Sequence, residues 1–197
     1  MTRRFLSAGL LLTVMIGFAL SAVRTRTQAG TPPILVVTSS TASNPFGTYL
    51  AEMLRAEGIN GFQTADIATV TSTSLSGVSL VVLAEMPLTA GQATTLSNYI
   101  AGGGRVVAMR PDTQLLPALG LTALGTTTAE GYVGINTANP TGAGLTATTL
   151  PFHGTAANYT SATGATIATL FSNATTATSF PARSEEHTSE LQSHLNL

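Results

Sequence analysis

The chain has 197 residues, no cysteine, no lysine and a formal net charge of −1, and only 9% of its residues are charged. Phosphate binding needs clustered basic residues, so this composition argues against nucleic acid as a partner. The lack of cysteine excludes disulfides, thiolate metal sites and a cysteine nucleophile within the sequence. We expect no cofactor and no metal.

Residues 1–30 are typical of an export segment. The basic start MTRR precedes an uncharged, mostly apolar run from Phe5 to Val23. About twenty residues span the hydrocarbon core of a bilayer, so this run fits a retained membrane anchor. Small residues near Ser21 and Ala29 also fit a cleaved signal peptide. We therefore expect an exported protein, in the periplasm, cell envelope or medium, that meets a membrane only through this segment.

From Pro32 onward, short β-branched runs alternate with helical patterns, which predicts a parallel sheet covered by helices. The apolar run from Ile34 to Ser40 is typical of a strand buried on both faces. The next segment places four apolar residues on one predicted helical face: Phe46, Leu50, Met53 and Leu54.

Further strands are predicted at GFQTADI, SLVVLAEM and RVVAM, with a second helix that Thr89 caps and GGG ends. This order predicts a flavodoxin-like, doubly wound α/β sheet with the strand order 2-1-3-4. After Leu121, segments rich in Gly, Thr and Asn predict a β-rich carboxyl-terminal extension. We expect the domain, residues 31–182, to be truncated and to leave an unpaired sheet edge.

Residues 183–197 resemble translated sequencing adapter. RSEEHTSELQS, from Arg183 to Ser193, corresponds residue by residue to the in-frame translation of a common library adapter. We therefore expect this tail to be non-native. Because it supplies few apolar groups, we also expect it to pack against nothing specific.

Two stretches, ILVVTSSTASNPFGTYLAEMLRAEG and VVLAEMPLTAGQATTLSNYIAGGGRVVAMRPD, resemble the class I glutamine amidotransferase-like superfamily, and within it exported domains of the ThuA-like branch. Active amidotransferases carry a Cys nucleophile in the turn after the strand equivalent to RVVAM. Arg110 stands at about that position here, and a guanidinium stays protonated and cannot act as a nucleophile. The resemblance implies the fold, and the departure from the family pattern at Arg110 predicts a non-catalytic role.

Ligands of open α/β sheets bind outside the carboxyl ends of the strands. The residues predicted at this edge are Ser39, Ser40, Asn44, Glu85, Arg110 and Asp112, and His153 is added as the one histidine before the tail. Glu85 and Arg110 end neighbouring strands, where they form either a structural ion pair or a ligand contact. Asp112 is also suited to capping a helix over TQLLPALGL. His153 is either a hydrogen-bonded loop residue or a group for chemistry near neutral pH.

Three functions stay open from the sequence. The first is a binding or scaffold module at the start of a larger exported bacterial protein, with a glycan or small polar metabolite as its partner. The second is a carbohydrate-active or amide hydrolase that uses Glu85, Asp112 or His153, or residues lost downstream. The third is a structural module of the cell envelope.

Overall fold

The computed structural model describes residues 32–162, 164–186 and 192–195. The predicted signal peptide or anchor, residues 1–30, lies outside them. Within these ranges, no helix has the length and hydropathy of a membrane span.

The first half of the described chain forms parallel strands joined by helices. Its elements in chain order are β1 (Ile34–Thr38), α1 (Phe46–Ala56), β2 (Phe62–Asp66), β3 (Leu80–Leu83), α2 (Ala90–Ala101) and β4 (Arg105–Met109). The strands are parallel and adjacent in the order β2, β1, β3, β4. The expected α/β chain with a parallel four-stranded sheet is confirmed.

Successive residues of β1 are buried against opposite faces of the sheet. Leu35 and Val37 belong to the core that includes Leu96 and Ile100 of α2. Val36 packs instead with Ala51 of α1. Because side chains alternate along a strand, a continuous apolar run is what a strand covered on both faces requires.

Helix α1 contacts the sheet through only part of the predicted face: Leu50 and Leu54 are confirmed, and Phe46 and Met53 are not. Gly47, Leu50, Ala51 and Leu54 are turned toward the sheet at helical spacing, whereas Phe46 and Met53 are exposed. The prediction followed side-chain size. The helix instead lies on its smaller residues, because Gly47 and Ala51 allow a closer approach to β1.

Helix α2 begins as predicted. The Thr89 hydroxyl accepts a hydrogen bond from the Gln92 backbone N–H, and the Gln92 side chain accepts one from the Thr89 N–H, which forms a capping box. The helix ends at Gly102. The helix predicted over TQLLPALGL does not form, however: this segment contains only a short 3-10 turn, Leu116–Leu119. Pro117 lacks an N–H, and Gly120 has a φ of 61°, so the turn cannot continue.

The second half of the described chain forms short strands. They are β5 (Leu121–Ala129), β6 (Tyr132–Ile135), β7 (Leu150–Pro151), β8 (Thr155–Ser161), β9 (Ala165–Phe171), β10 (Ala177–Glu186) and β11 (Gln192–Leu195). Strands β5 and β8 form a separate antiparallel pair. The other five continue the parallel sheet beyond β4 in the order β11, β10, β9, β6, β7.

The tail takes part in this sheet, contrary to expectation. Strand β11 pairs in parallel with β4 and antiparallel with β10, so β4 has no unpaired edge. Ser184 and Glu185 are buried. The Glu185 carboxylate accepts hydrogen bonds from Arg183 at 2.6 Å and from the Thr141 hydroxyl at 3.1 Å, which compensates for its burial. The adapter origin of residues 183–197 stays a prediction.

Candidate functional site

Glu85 and Arg110 lie side by side at the carboxyl ends of β3 and β4. These strands pair in parallel, with Leu83 opposite Ala108, so the residues that follow them leave the sheet at the same edge. Arg110 Nε lies 3.6 Å from Glu85 Oε1, and each side chain is about one-third exposed, at 33% and 37%. The two groups form an ion pair at this distance, but they are too far apart for a strong charged hydrogen bond.

The backbone at Arg110 is strained. Its φ is 46°, in the left-handed region that residues with a Cβ rarely adopt. Such a conformation costs roughly 1–2 kcal/mol. Strained residues of this kind are concentrated at functional sites, where the surrounding structure holds them in place. Arg110 therefore occupies a sharp turn directly after β4, at about the position where active amidotransferases, which the sequence resembles, carry their nucleophile.

A cavity of about 290 Å³ opens beside this ion pair. Three loops and one strand line it: the loop before α1, the loops after β3 and β4, and β8. The lining residues are Ala42, Ser43, Asn44, Glu85, Met86, Pro87, Arg110, Pro111, Asp112, Thr113 and Tyr159. The structure thus brings four predicted residues, Asn44, Glu85, Arg110 and Asp112, to one cavity.

Tyr159 is the contributor that the sequence analysis missed. It comes from β8 and is only 5% exposed. Among the described residues, its hydroxyl has no hydrogen-bond partner, although it lines the cavity. Burial raises the pKa of Tyr159, the neighbouring Glu85 carboxylate raises it further, and Arg110 lowers it. The phenol therefore lies within the electrostatic field of both charged groups.

Asp112 holds two loops together. One carboxylate oxygen accepts the Leu88 N–H at 3.1 Å, and the other accepts the Gln114 N–H at 2.9 Å. The Gln114 side chain in turn donates to the Leu88 carbonyl oxygen at 2.6 Å. With both oxygens engaged by backbone amides, Asp112 acts as a structural cap in the crevice wall.

Asn44 also has a local backbone contact. Its side-chain oxygen accepts the Phe46 N–H at 3.3 Å, at the start of α1. The two serines predicted at this edge do not line the cavity. Ser40 is turned toward β2, where its N–H donates to Asp66 Oδ2 at 2.6 Å.

His153 is not part of this site. It lies in the exposed turn before β8, where its Nδ1 is 2.9 Å from Glu130 Oε2. The other Glu130 oxygen accepts the Gly154 N–H at 2.6 Å. These two contacts, the Gly154 N–H first and His153 second, lower the pKa of Glu130. Glu85 and Asp112 therefore share a cavity without the imidazole that the hydrolase alternative offered.

Several solved structures share this fold. A β-galactosidase from Rahnella sp. R3 matches with a TM-score of 0.63 and 16% identity, over 83% of this chain and 28% of that chain. The cytoplasmic protein STM3548 from Salmonella typhimurium matches with a TM-score of 0.60 and 13% identity, over 83% and 86%. The mmIFT52 N-terminal domain matches with a TM-score of 0.59 and 16% identity, over 82% and 85%.

Identities this low show a common fold only. The chain spans little more than a quarter of the Rahnella β-galactosidase and most of the other two structures. The sequence matches no family model and no curated protein. None of these similarities names the amidotransferase-like family, which stays a prediction from the sequence.

Proposed function

We propose that this chain is a non-catalytic, ligand-binding module with an amidotransferase-like fold, belonging to a larger exported bacterial protein. Its doubly wound, flavodoxin-like character is supported by the strand order and by the two helices, α1 packing with Val36 and α2 with Leu35 and Val37. The β-rich strands after Leu121 are proposed as an extension of that fold.

The observation that carries the binding role is Arg110 in a strained turn, facing Glu85 at the mouth of a cavity. In an open α/β sheet, this edge is where ligands bind. A positive φ at an ion pair marks no site by itself, since Glu130, which pairs with His153 in an exposed turn, has a φ of 45°; at Arg110 the strain occurs together with an adjacent cavity. That combination is consistent with a side chain held in position for a ligand.

The chemistry of the cavity favours binding over catalysis. Among its described lining residues, none is a cysteine or a histidine. The Asp112 carboxylate is committed to two backbone amides, and Arg110 stands where a nucleophile would be needed. Hydrolysis by acid and base catalysis needs two positioned groups, and within the described part of the cavity wall Glu85 has no second group available beside it.

The wider setting is proposed from two further observations. The chain matches 28% of the Rahnella β-galactosidase and 86% of STM3548, so this fold occurs both as one part of a larger chain and as most of a shorter one. The apolar run from Phe5 to Val23 supports export, with or without retention in a membrane.

The test is a thermal-shift screen of the full chain against neutral sugars, amino acids, amides and other small polar metabolites. We expect at least one compound to raise the melting temperature of the wild type and not that of Arg110→Met. Arg55→Met is the matched control, because Arg55 lies on α1 away from the cavity, 4.9 Å from the Phe62 ring centre. If every active compound raises the melting temperature of Arg110→Met as much as that of the wild type, the crevice is not the binding site.

Turnover assays on the same compounds distinguish the alternatives. Hydrolysis of an amide or glycoside that is lost in Glu85→Gln would overturn the non-catalytic role in favour of the hydrolase. No hit in the whole screen would overturn the binding role in favour of a structural module of the envelope.

A further inference from the structure

We infer that the crevice selects a single uncharged sugar ring, or a polyol of similar size, and that Glu85 and Arg110 bind two of its neighbouring hydroxyl groups. This inference rests on the proposed function and adds the chemical class of the ligand. It follows from unused hydrogen-bonding capacity, from charge balance and from the size and lining of the cavity.

The three polar groups in the crevice have capacity to spare. Among the described residues, no hydrogen bond is formed by the side chains of Glu85, Arg110 or Tyr159. A guanidinium has five N–H donors, a carboxylate has about four lone-pair sites and a phenol can donate and accept. The ion pair, at 3.6 Å, is too long to count as a hydrogen bond for either Glu85 or Arg110.

A hydroxyl group matches this arrangement because it donates and accepts at once. One ligand hydroxyl can donate to a Glu85 oxygen while it accepts from an Arg110 N–H. A neighbouring hydroxyl can do the same with the other Glu85 oxygen and another Arg110 N–H. The Tyr159 hydroxyl, from β8, can provide a third contact. The ligand then satisfies both charges without separating them.

Charge balance excludes strongly charged ligands from tight binding. An anion attracted to Arg110 meets Glu85 within a few ångströms, and a cation attracted to Glu85 meets Arg110 equally closely. Asp112 adds a second carboxylate to the wall, which makes an anion still less favourable. Neutral ligands do not incur this repulsion.

The volume of the cavity and the residues that line it are consistent with a single sugar ring. The cavity, at about 290 Å³, is just below the usual range for ligand pockets, roughly 300–1,000 Å³, so it suits only a small ligand. Met86, Pro87 and Pro111 supply apolar wall beside the charged pair. A sugar ring presents C–H faces to such a wall and hydroxyl groups to its edge.

The experiment measures dissociation constants by calorimetry at low salt for the full chain. The probes are glucose, galactose and mannose, each with its 2-amino and its 6-carboxylate counterpart. We expect at least one neutral sugar to bind the wild type about tenfold more tightly than either charged counterpart, a difference of about 1.4 kcal/mol. Tyr159→Phe should weaken that binding several-fold.

The two charge variants should shift selectivity in opposite directions. Glu85→Gln removes the carboxylate paired with Arg110 and leaves only Asp112, whose oxygens accept two backbone amides, so it should turn the preference toward the 6-carboxylate sugar. Arg110→Met leaves Glu85 unopposed and should turn it toward the 2-amino sugar. The controls Arg55→Met and Glu57→Gln change the same charges on α1 or at its end and should keep the neutral preference.

The outcomes separate this inference from the proposed function. A wild type that binds an amino acid, an amide or a charged sugar more tightly than any neutral sugar overturns the inference and leaves the binding module intact. Selectivity that fails to shift in folded Glu85→Gln and Arg110→Met also overturns it. If either variant does not fold, the Tyr159→Phe result decides, and unchanged affinity there counts against the inference. A chain that binds no compound at all overturns both proposals.

Discussion

Gly47 lies so close to β1 that a Cβ atom at this position would be 2.6 Å from the Val37 carbonyl oxygen. The contact is with backbone, which cannot rotate away as a flexible side chain can. Gly47 therefore lets the first turn of α1 approach the end of β1, and it brings Leu50 and Ala51 onto the sheet. The loop that carries Asn44 ends at this same turn.

Gly47→Ala should accordingly destabilise the protein by about 1–3 kcal/mol, the usual cost of overpacking. Gly91→Ala is the matched control in the first turn of α2, where a Cβ would meet nothing within 4 Å. It should be neutral or slightly stabilising, since alanine favours helix more than glycine does. Urea unfolding of both variants measures the difference. Equal stabilities would show that α1 does not need the close approach.

Asp112 should matter more for stability than for binding. Asp112→Ala leaves the Leu88 and Gln114 amides without their acceptor, which should cost about 1–3 kcal/mol in urea unfolding. Asp112→Asn keeps one acceptor oxygen and should cost less. Full stability combined with lost ligand binding in Asp112→Ala would assign the carboxylate to the ligand instead.

Asp66 should contribute to the pH dependence of stability. The Ala68 N–H, then the Ser40 side chain and the Ser40 N–H, interact with its carboxylate and lower its pKa. A carboxylate with a lowered pKa in the folded state stabilises the protein above its unfolded value, roughly 3.9, and the effect is lost as pH falls through the folded value.

Asp66→Asn should therefore lose less stability than the wild type when urea unfolding is compared between about pH 5 and pH 2. Glu57→Gln removes an exposed carboxylate at the end of α1 and serves as the control. Parallel pH curves for the wild type and Asp66→Asn would contradict the expectation.

The titration of Tyr159 should report the two charges beside it. Its pKa is raised by burial and by Glu85 and lowered by Arg110. Glu85→Gln should therefore lower the Tyr159 pKa relative to the wild type, and Arg110→Met should raise it. Ultraviolet difference titration measures this, with Tyr159→Phe identifying its signal among the four tyrosines of the chain. Shifts in the same direction for both variants would show that the phenol lies outside their field.

The parallel strands could be predicted because their signals are local. An unbroken apolar run such as Leu35 to Val37 indicates a strand covered on both faces, and Thr89 with Gln92 marks a helix start within four residues. Glu85 and Arg110 could be placed together for the same reason. Parallel strands end at one edge, so residues that follow β3 and β4 must meet there.

Other features depend on packing over long distances in the chain. Side-chain size suggested that Met53 faces the sheet, but the close approach at Gly47 turns Ala51 toward it instead. Tyr159 reaches the crevice because β8 pairs with β5, and no local pattern connects it with Arg110. The Leu88 partner of Asp112 lies 24 residues away.

Ser193 lies at the centre of the contact between the tail and the rest of the sheet. It is paired with Val107 of β4 on one side and with Glu185 of β10 on the other. Strand β11 therefore joins the parallel strands to the antiparallel ones. An interior strand with neighbours on both sides does not tolerate proline, which has no N–H to donate.

Ser193→Pro should destabilise the protein by about 1–3 kcal/mol in urea unfolding, through a lost backbone hydrogen bond in the interior of the sheet. It should also speed hydrogen exchange at Val107 and Ala108 of β4. Ser193→Thr keeps the N–H and favours strand, so it should be neutral. A Ser193→Pro protein as stable as the wild type, with β4 equally protected, would show that residues 192–195 do not hold the sheet together.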